Sequence, residues 1–174
     1  KIVQETFELA ESGSLDGVAL YQVATSLARI KKFVLTPKHR STLPLLHLLV
    51  HESVRKSDQL DFRHLAGISV AAARLAPEVA GDPELTKNIR KLAMIASEQL
   101  PVHHSGGKSV SGHDISSLCE SLRLLNLSTE PFLKYVGLVL RLDWEMVWTP
   151  PALMYVSRFL GTFRHGDARA WRAL

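Results

Sequence analysis

The chain has 174 residues, of which 46% are hydrophobic and 22% are charged, so it is long enough to bury a core in one domain or a short repeat array. Its formal net charge of +4 permits an anionic partner without requiring one. The single cysteine, Cys119, excludes an intramolecular disulfide framework and a cysteine-rich zinc site, and no apolar run reaches the roughly 18 residues of a membrane-spanning helix.

The first elements in chain order are predicted to be helices separated by short connectors. Residues 1–12 are typical of the end of a helix, and Gly13 supplies a stop signal. An amphipathic helix follows over about 16–32, and a basic connector leads from it to a helix capped by Ser41 or Thr42. Apolar side chains surround this helix on nearly all sides, which predicts burial between neighbouring elements.

Two helices and an irregular segment are predicted next. The first helix covers about 61–75 and ends before Pro77. The second starts with Asp82 as its cap and Pro83 at its first position. Residues 101–112 combine proline, glycine and serine, which favours an irregular loop.

The rest of the chain is also predicted to be helical. A helix over about 112–125 is followed by a partner helix that runs to about Asp143. Thr149 caps the next helix, with a proline directly after it, and Asp167 caps a final one. No strand is predicted, because the β-branched residues fall within helical periodicity.

One pattern occurs four times, without a gap in the alignment, at residues 15–30, 60–75, 110–125 and 148–163. Each copy opens with a large apolar residue and then a side chain that can cap a helix, and these caps are Asp16, Asp61, Ser111 and Thr149. Four apolar columns follow at spacings of three, four and three, which places them on one helical stripe. A single helical hairpin cannot bury such a stripe, whereas stacked hairpins can.

The repetition predicts an all-α fold, an α-solenoid of about four degenerate helix–turn–helix repeats. We expect one helical-repeat segment over 1–174, with repeats at approximately 15–57, 60–100, 110–144 and 148–174. Because the chain begins without methionine and ends inside a predicted helix, we expect it to be part of a longer one.

Motifs that could carry chemistry are incomplete. Gly107-Lys108-Ser109 is similar to the end of a phosphate-binding P-loop, but Val102 stands where that motif needs glycine, and no strand precedes it. Cys119 lies within a repeat helix and is predicted to be a small packed residue. There is no nucleophile-elbow sequence and no spacing typical of paired catalytic carboxylates, so the sequence predicts a non-enzymatic protein without a cofactor.

Two groups of histidines are candidates for metal binding. His47 and His51 lie one helical turn apart, but no third ligand follows at a diagnostic spacing, which favours polar members of a packed helix. His103 and His104, together with His113, form a looser group that favours a solvated loop. No metal site is predicted.

Basic side chains provide the remaining functional signal. Arg29 and Arg74 occupy the same column in the first two repeats, and equivalent positions of a solenoid line up along one face. Arginines on such a face can follow a phosphate backbone, with an ordinary solvated face as the alternative; Arg158 lies outside the shared column. The candidate RNA- or phosphate-binding residues are Arg29, Lys31, Lys32, Lys38, Arg40, Arg74, Arg158, Arg164, Arg169 and Arg172.

The repeat pattern resembles that of a known group of proteins. An apolar residue, a Ser/Thr/Asp cap and then Leu, aliphatic, Leu and Leu/Phe at helical spacing are similar to the helical-hairpin repeats of organellar RNA-metabolism proteins, of the heptatricopeptide, octotricopeptide and RAP-associated types. Residues 148–174, WTPPALMYVSRFLGTFRHGDARAWRAL, match best. The resemblance implies an organellar location, here the mitochondrial matrix, association with RNA, and membership of a ribonucleoprotein assembly such as an organellar ribosome.

Two hypotheses about function follow. The first is a non-catalytic RNA-binding scaffold within a mitochondrial ribonucleoprotein, in contact with RNA and with other proteins of that assembly. The alternative is a protein–protein interaction scaffold in a large complex without direct RNA contact, which the modest net charge and the sparse exposed aromatics favour. Neither hypothesis involves insertion into a membrane.

Overall fold

The computed structural model describes residues 2–29, 42–105, 110–142 and 146–163, and within these ranges the fold is all-helical. Eight α-helices are present there, together with 3-10 turns at Ser57–Gln59 and Ala76–Val79, and no strand. The helices are α1 Ile2–Glu11, α2 Gly17–Arg29, α3 Thr42–Arg55, α4 Phe62–Leu75, α5 Pro83–Ser105, α6 Gly112–Leu124, α7 Glu130–Leu142 and α8 Pro150–Thr162. None of them combines the length and the apolar character needed to cross a bilayer.

Three of the four predicted repeat caps bond to their helices. The carboxylate of Asp16 accepts a hydrogen bond from the Ala19 amide at 2.8 Å, and Thr149 Oγ1 accepts one from the Ala152 amide at 3.4 Å. Ser111 forms a full capping box with Asp114. Asp61 stands at the cap position of α4 but makes no capping bond.

Two residues with left-handed backbone follow the ends of helices, and one of them, Gly13, is the predicted stop signal. Gly13, after α1, has a φ of +68°, and Asn126, after α6, has a φ of +50°. This left-handed backbone favours glycine and asparagine, and it directs amides back to the last helical carbonyls. The Ser14 amide donates to the Leu9 carbonyl at 3.0 Å, and the Leu127 amide donates to the Leu122 carbonyl at 2.8 Å.

Helix α5 corrects the prediction of a loop over 101–112. It continues through Pro101 to Ser105, and residues 106–109 lie outside the described ranges. A proline inside a helix removes one backbone donor and crowds the preceding turn. Leu100, directly before it, is fully buried, so packing against the core outweighs the local penalty.

Contacts among the described helices fall into two series. In the first, α4 lies between α2 and α6, and α6 also contacts α8; in the second, α3 contacts α1 and α5, and α5 contacts α7. Contacts of α3 with α2 and α4, and of α5 with α4 and α6, join the two series. Helices that are neighbours within a series are therefore not consecutive in the chain.

The first series buries equivalent residues of successive repeats. Leu20, Leu65 and Ile115 are all fully buried, whereas Leu153, at the same position of α8, is half-buried. In the described part of the chain, α8 has a neighbour of this series on one side only, which leaves its apolar stripe partly uncovered. A buried hydrogen bond of 2.7 Å between the hydroxyls of Ser69 and Ser121 adds a directional contact between α4 and α6.

Two basic side chains bond to the carbonyl groups of connectors. Lys56 Nζ donates to the carbonyls of Gly13 and Leu15, both at 2.7 Å, and so holds the α1–α2 connector against the end of α3. Arg90 Nη1 donates to the Leu125 carbonyl at 2.8 Å, just beyond the end of α6. These three bonds satisfy carbonyl groups of connectors, and those at Gly13 and Leu125 place a positive charge just after the end of a helix.

The contrast between Ser111 and Asp61 gives a test of the capping assignments. Replacing Ser111 by alanine should lower the free energy of unfolding by about 1 kcal/mol, because the capping box is lost. Asp61→Ala changes the same repeat position but removes no capping bond, so its effect should be smaller. Urea denaturation of both variants measures the difference, and equal losses would contradict it.

Part of the stability that the protein loses at low pH should come from protonation of Glu52, which is almost completely buried. Hydrogen bonds from Arg55 hold the pKa of Glu52 below its ordinary value of 4.5. A carboxyl whose pKa is lowered on folding stabilises the fold above its unfolded pKa, and this contribution is lost as the pH falls through the folded value. Unfolding measured from pH 6 downward should therefore lose less stability on acidification in Glu52→Gln than in the parent chain, whereas exposed Glu98→Gln should retain the parent slope.

Candidate functional site

The predicted basic residues are only partly within the described ranges. Arg29, Arg74 and Arg158 are described, and all three side chains are exposed. The other candidates lie outside the described residues, and these are Lys31, Lys32, Lys38, Arg40, Arg164, Arg169 and Arg172.

Arg29 and Arg74 line one cleft, together with Arg63. The cleft has a volume of about 300 Å³ and lies between α2, α4 and α6. Helix α4 supplies its small floor residues, Gly67 and Ala71, and α6 contributes His113, Asp114 and Ser117 on the far side.

A close approach of α2 to α4 shapes this cleft. The ring of Tyr21 lies directly against the backbone of Gly67, where a β-carbon would overlap it. The Tyr21 and His64 rings are also neighbours, with centroids 5.8 Å apart. Gly17, one turn before Tyr21, lies against Leu60 and His64, so α2 and α4 run parallel and their C-terminal ends lie at the same end of the cleft.

The positions of the three arginines follow from this arrangement. Arg63, Gly67 and Arg74 share one face of α4, because they are separated by four and seven positions. Arg63 and Arg74 are about 16 Å apart along the helix axis, at the usual rise per residue. Arg29 and Arg74 each stand in the last turn of parallel helices.

Arg63 is the cleft residue that the repeat alignment missed. It occupies a column in which the other repeats carry Val18, His113 and Pro151, so no second arginine draws attention to it. The signal that could have revealed it is its place on the same helical face as Arg74.

Ion pairing distinguishes the cleft arginines from several other cations. Arg55 and Arg123 each donate two hydrogen bonds to a carboxylate three residues earlier, Glu52 and Glu120 respectively. By contrast, the guanidinium groups of the cleft arginines make no hydrogen bond or ion pair to any part of the chain that the structure describes. Their charge is therefore available to a ligand.

The carboxylate of Asp114, which lines the cleft, is already bound. Its Oδ2 accepts hydrogen bonds from the hydroxyl of Ser111 at 2.6 Å and from the Ser111 amide at 3.2 Å. It also stands in the first turn of α6, where the helix dipole favours a negative charge. Its side chain therefore caps the N-terminus of α6.

The arginine column does not continue beyond α4. Positions equivalent to Arg29 and Arg74 carry Leu124 in α6 and Thr162 in α8. Arg158 is exposed on α8 but does not line the cleft. In the described residues, the arginines of the first series therefore form a local cluster at α2 and α4.

Two of the histidine candidates, His47 and His51, each contact a different carboxylate. His47 Nε2 lies 2.5 Å from Asp82 Oδ2, and this bond joins α3 to the cap of α5. The His51 side chain is exposed, and its Nδ1 is 3.7 Å from Glu52. Among the residues described, no group of three or more histidine, cysteine or acidic side chains is arranged to hold a metal ion.

Cys119 is completely buried in α6, and burial raises its pKa well above the ordinary value of 9.0. Because the thiolate is the reactive form, the folded protein should react very slowly with an aromatic disulfide reagent at pH 8. Reaction should accelerate across the denaturant range in which the helices melt. Rapid labelling under native conditions would contradict this packing of α6.

Comparisons with protein-family models, curated proteins and solved structures returned no match. The geometry and charge of the cleft are therefore the features from which a function can be inferred.

Proposed function

We propose that this protein is a non-catalytic α-solenoid that binds RNA through the arginine cleft of its first helix series. In this architecture α2 with α3, α4 with α5, and α6 with α7 are helical hairpins, and α8 begins a fourth. The two contact series and the shared buried column of Leu20, Leu65 and Ile115 support it.

The observation that carries the functional proposal is the set of guanidinium groups at Arg29, Arg63 and Arg74, which have no hydrogen-bond or ion-pair partner among the described residues. A guanidinium is always charged and presents a planar set of donors that matches a phosphate group. The cleft also has few competing acceptors, because the Asp114 carboxylate is already hydrogen-bonded within the capping box.

The spacing of the arginines favours a polymer over a small anion. Arg63 and Arg74 lie about 16 Å apart along α4, which is too far for one phosphate group to contact both. A nucleic-acid backbone offers several phosphates in succession and can reach both ends of the cleft. The Tyr21 ring lines the same cleft, and aromatic rings are used for stacking by proteins that bind RNA bases.

RNA is favoured over DNA by the resemblance of the repeats to those of organellar RNA-metabolism proteins. The mitochondrial location, the assembly with other proteins and the contribution of the basic residues outside the described ranges stay predictions from the sequence. If the protein is instead a scaffold without RNA contact, replacing the cleft arginines should have no specific effect on RNA binding.

The triple variant Arg29→Ala, Arg63→Ala, Arg74→Ala should bind RNA more weakly at every salt concentration. If each arginine contacts one phosphate, the plot of log affinity against log salt should become shallower by about 2, since each single-strand contact contributes roughly 0.7. Fluorescence anisotropy with a labelled RNA oligonucleotide, measured over a series of salt concentrations, gives both quantities.

The matched control is Lys87→Ala, Lys91→Ala, Lys134→Ala, which removes the same charge from exposed positions of the second helix series. This control should retain most of the affinity and the parent salt slope. Equal losses of RNA affinity in the two triple variants would show that the cleft is not the RNA-binding site. Absence of RNA binding by the parent chain at low salt would favour the protein scaffold instead.

A further inference from the structure

A second concave surface lies on the other helix series, between α1, α3 and α5. This groove has a volume of about 570 Å³, and its apolar floor includes Phe7, Leu43 and Leu48. Each of these side chains is half-buried against the core. The arginine cleft is lined by α2, α4 and α6 alone, so the groove is a separate surface and does not rest on the proposed RNA binding.

Helix α3 explains why the floor of the groove is apolar. Its inward residues, including Leu45, Leu49 and Val50, are buried. On the outward side, Leu43 and Leu48 add half-buried apolar surface, and His47 and His51 line the groove beside them. A helix that is apolar on nearly all sides is normally enclosed by neighbours. Although α1 and α5 flank α3, no element of the described chain covers its outward side.

The walls of the groove carry a specific charge. Glu11 on α1 and Glu84 on α5 are both exposed and line the groove. Neither carboxylate forms a hydrogen bond or an ion pair with any residue that the structure describes. The nearby Asp82 carboxylate, in contrast, is already bound to His47 and to the Leu85 amide.

An apolar floor beside two carboxylates that have no partner among the described residues is complementary to an apolar stripe flanked by cations. An α-helix can present both at spacings of three and four residues, and it satisfies its own backbone hydrogen bonds. An extended peptide would instead need an exposed strand edge, which the described ranges do not contain.

We propose that this groove docks an amphipathic helix of a partner protein, whose leucine-type stripe covers Leu43 and Leu48 and whose lysine or arginine residues face Glu11 and Glu84. The apolar contact supplies most of the affinity, because it removes half-exposed aliphatic surface from water. The two carboxylates select the sign of the partner's flanking charges.

Two synthetic probes test this proposal. One is a 14-residue helical peptide with leucine along one stripe and lysine beside it; the other has the same leucines but glutamate in place of lysine. Fluorescence anisotropy with the full 174-residue chain should show tighter binding of the lysine peptide, by about tenfold.

A charge-swap variant makes the test specific to the groove. Glu11→Lys with Glu84→Lys should reverse the preference and bind the glutamate peptide more tightly. The control Asp58→Lys with Glu98→Lys changes the net charge equally at exposed positions that do not line the groove, and it should retain the preference for lysine.

A third variant tests the apolar floor. Leu48→Ala removes apolar contact area from a half-buried position and should weaken both peptides by about tenfold, with the helical circular dichroism of the chain unchanged. The proposal is overturned if the parent chain binds neither peptide, if Leu48→Ala binds as well as the parent while remaining folded, or if the charge swap and its control behave alike. These results leave the RNA measurements on the arginine cleft unaffected.

Discussion

Burial of the same apolar column between successive helices of one series is the constraint on which the other features depend. Leu20, Leu65 and Ile115 come from different repeats, yet each is completely removed from water. Full burial of an aliphatic side chain is worth about 1.5–3 kcal/mol, and each of α2, α4, α6 and α8 contributes at least two buried aliphatic side chains. This stripe fixes which face of each helix points inward, and it thereby decides which residues remain on the outer surface.

The outer surface of the first series shows how small residues create a site. Gly67 has no side chain, so the ring of Tyr21 can lie on the backbone of α4. That approach brings α2 and α4 together as parallel helices and leaves a cleft above Gly67 and Ala71. The arginines at its ends are then held on two rigid helices, which favours a defined geometry for a phosphate-bearing ligand.

The basic side chains of the described residues fall into two groups, those that bond to other parts of the protein and those that do not. Lys56 and Arg90 bond to carbonyl groups at connectors, and Arg55 and Arg123 pair with nearly buried glutamates. These cations stabilise the fold, because each donates a hydrogen bond to an acceptor that would otherwise be costly to bury. The cleft arginines make no such bond in the described ranges. The carboxylates of Glu11 and Glu84 in the groove are likewise without a partner there, and they carry the opposite charge.

The sequence by itself determined the class of fold and the start and end of most helices, since these depend on local chemistry. A cap such as Ser111, a left-handed stop such as Asn126 and an apolar column at helical spacing all act within a few residues of the chain. The ion pair of Glu120 with Arg123 is likewise a local, one-turn interaction that the spacing permits. The predicted loop over 101–112 is wrong at its start, because the local penalty of Pro101 is visible in the sequence, whereas the burial of Leu100 beside it is not.

Only the tertiary structure decided which surfaces are open and which charges are free. Arg29 and Arg63 belong to different helices, and their convergence on one cleft depends on the contact between Tyr21 and Gly67, 46 positions apart in the sequence. The bond between His47 of α3 and Asp82, the cap of α5, also joins distant parts of the sequence. Such features follow from the distances and angles between helices, which a periodic pattern does not specify.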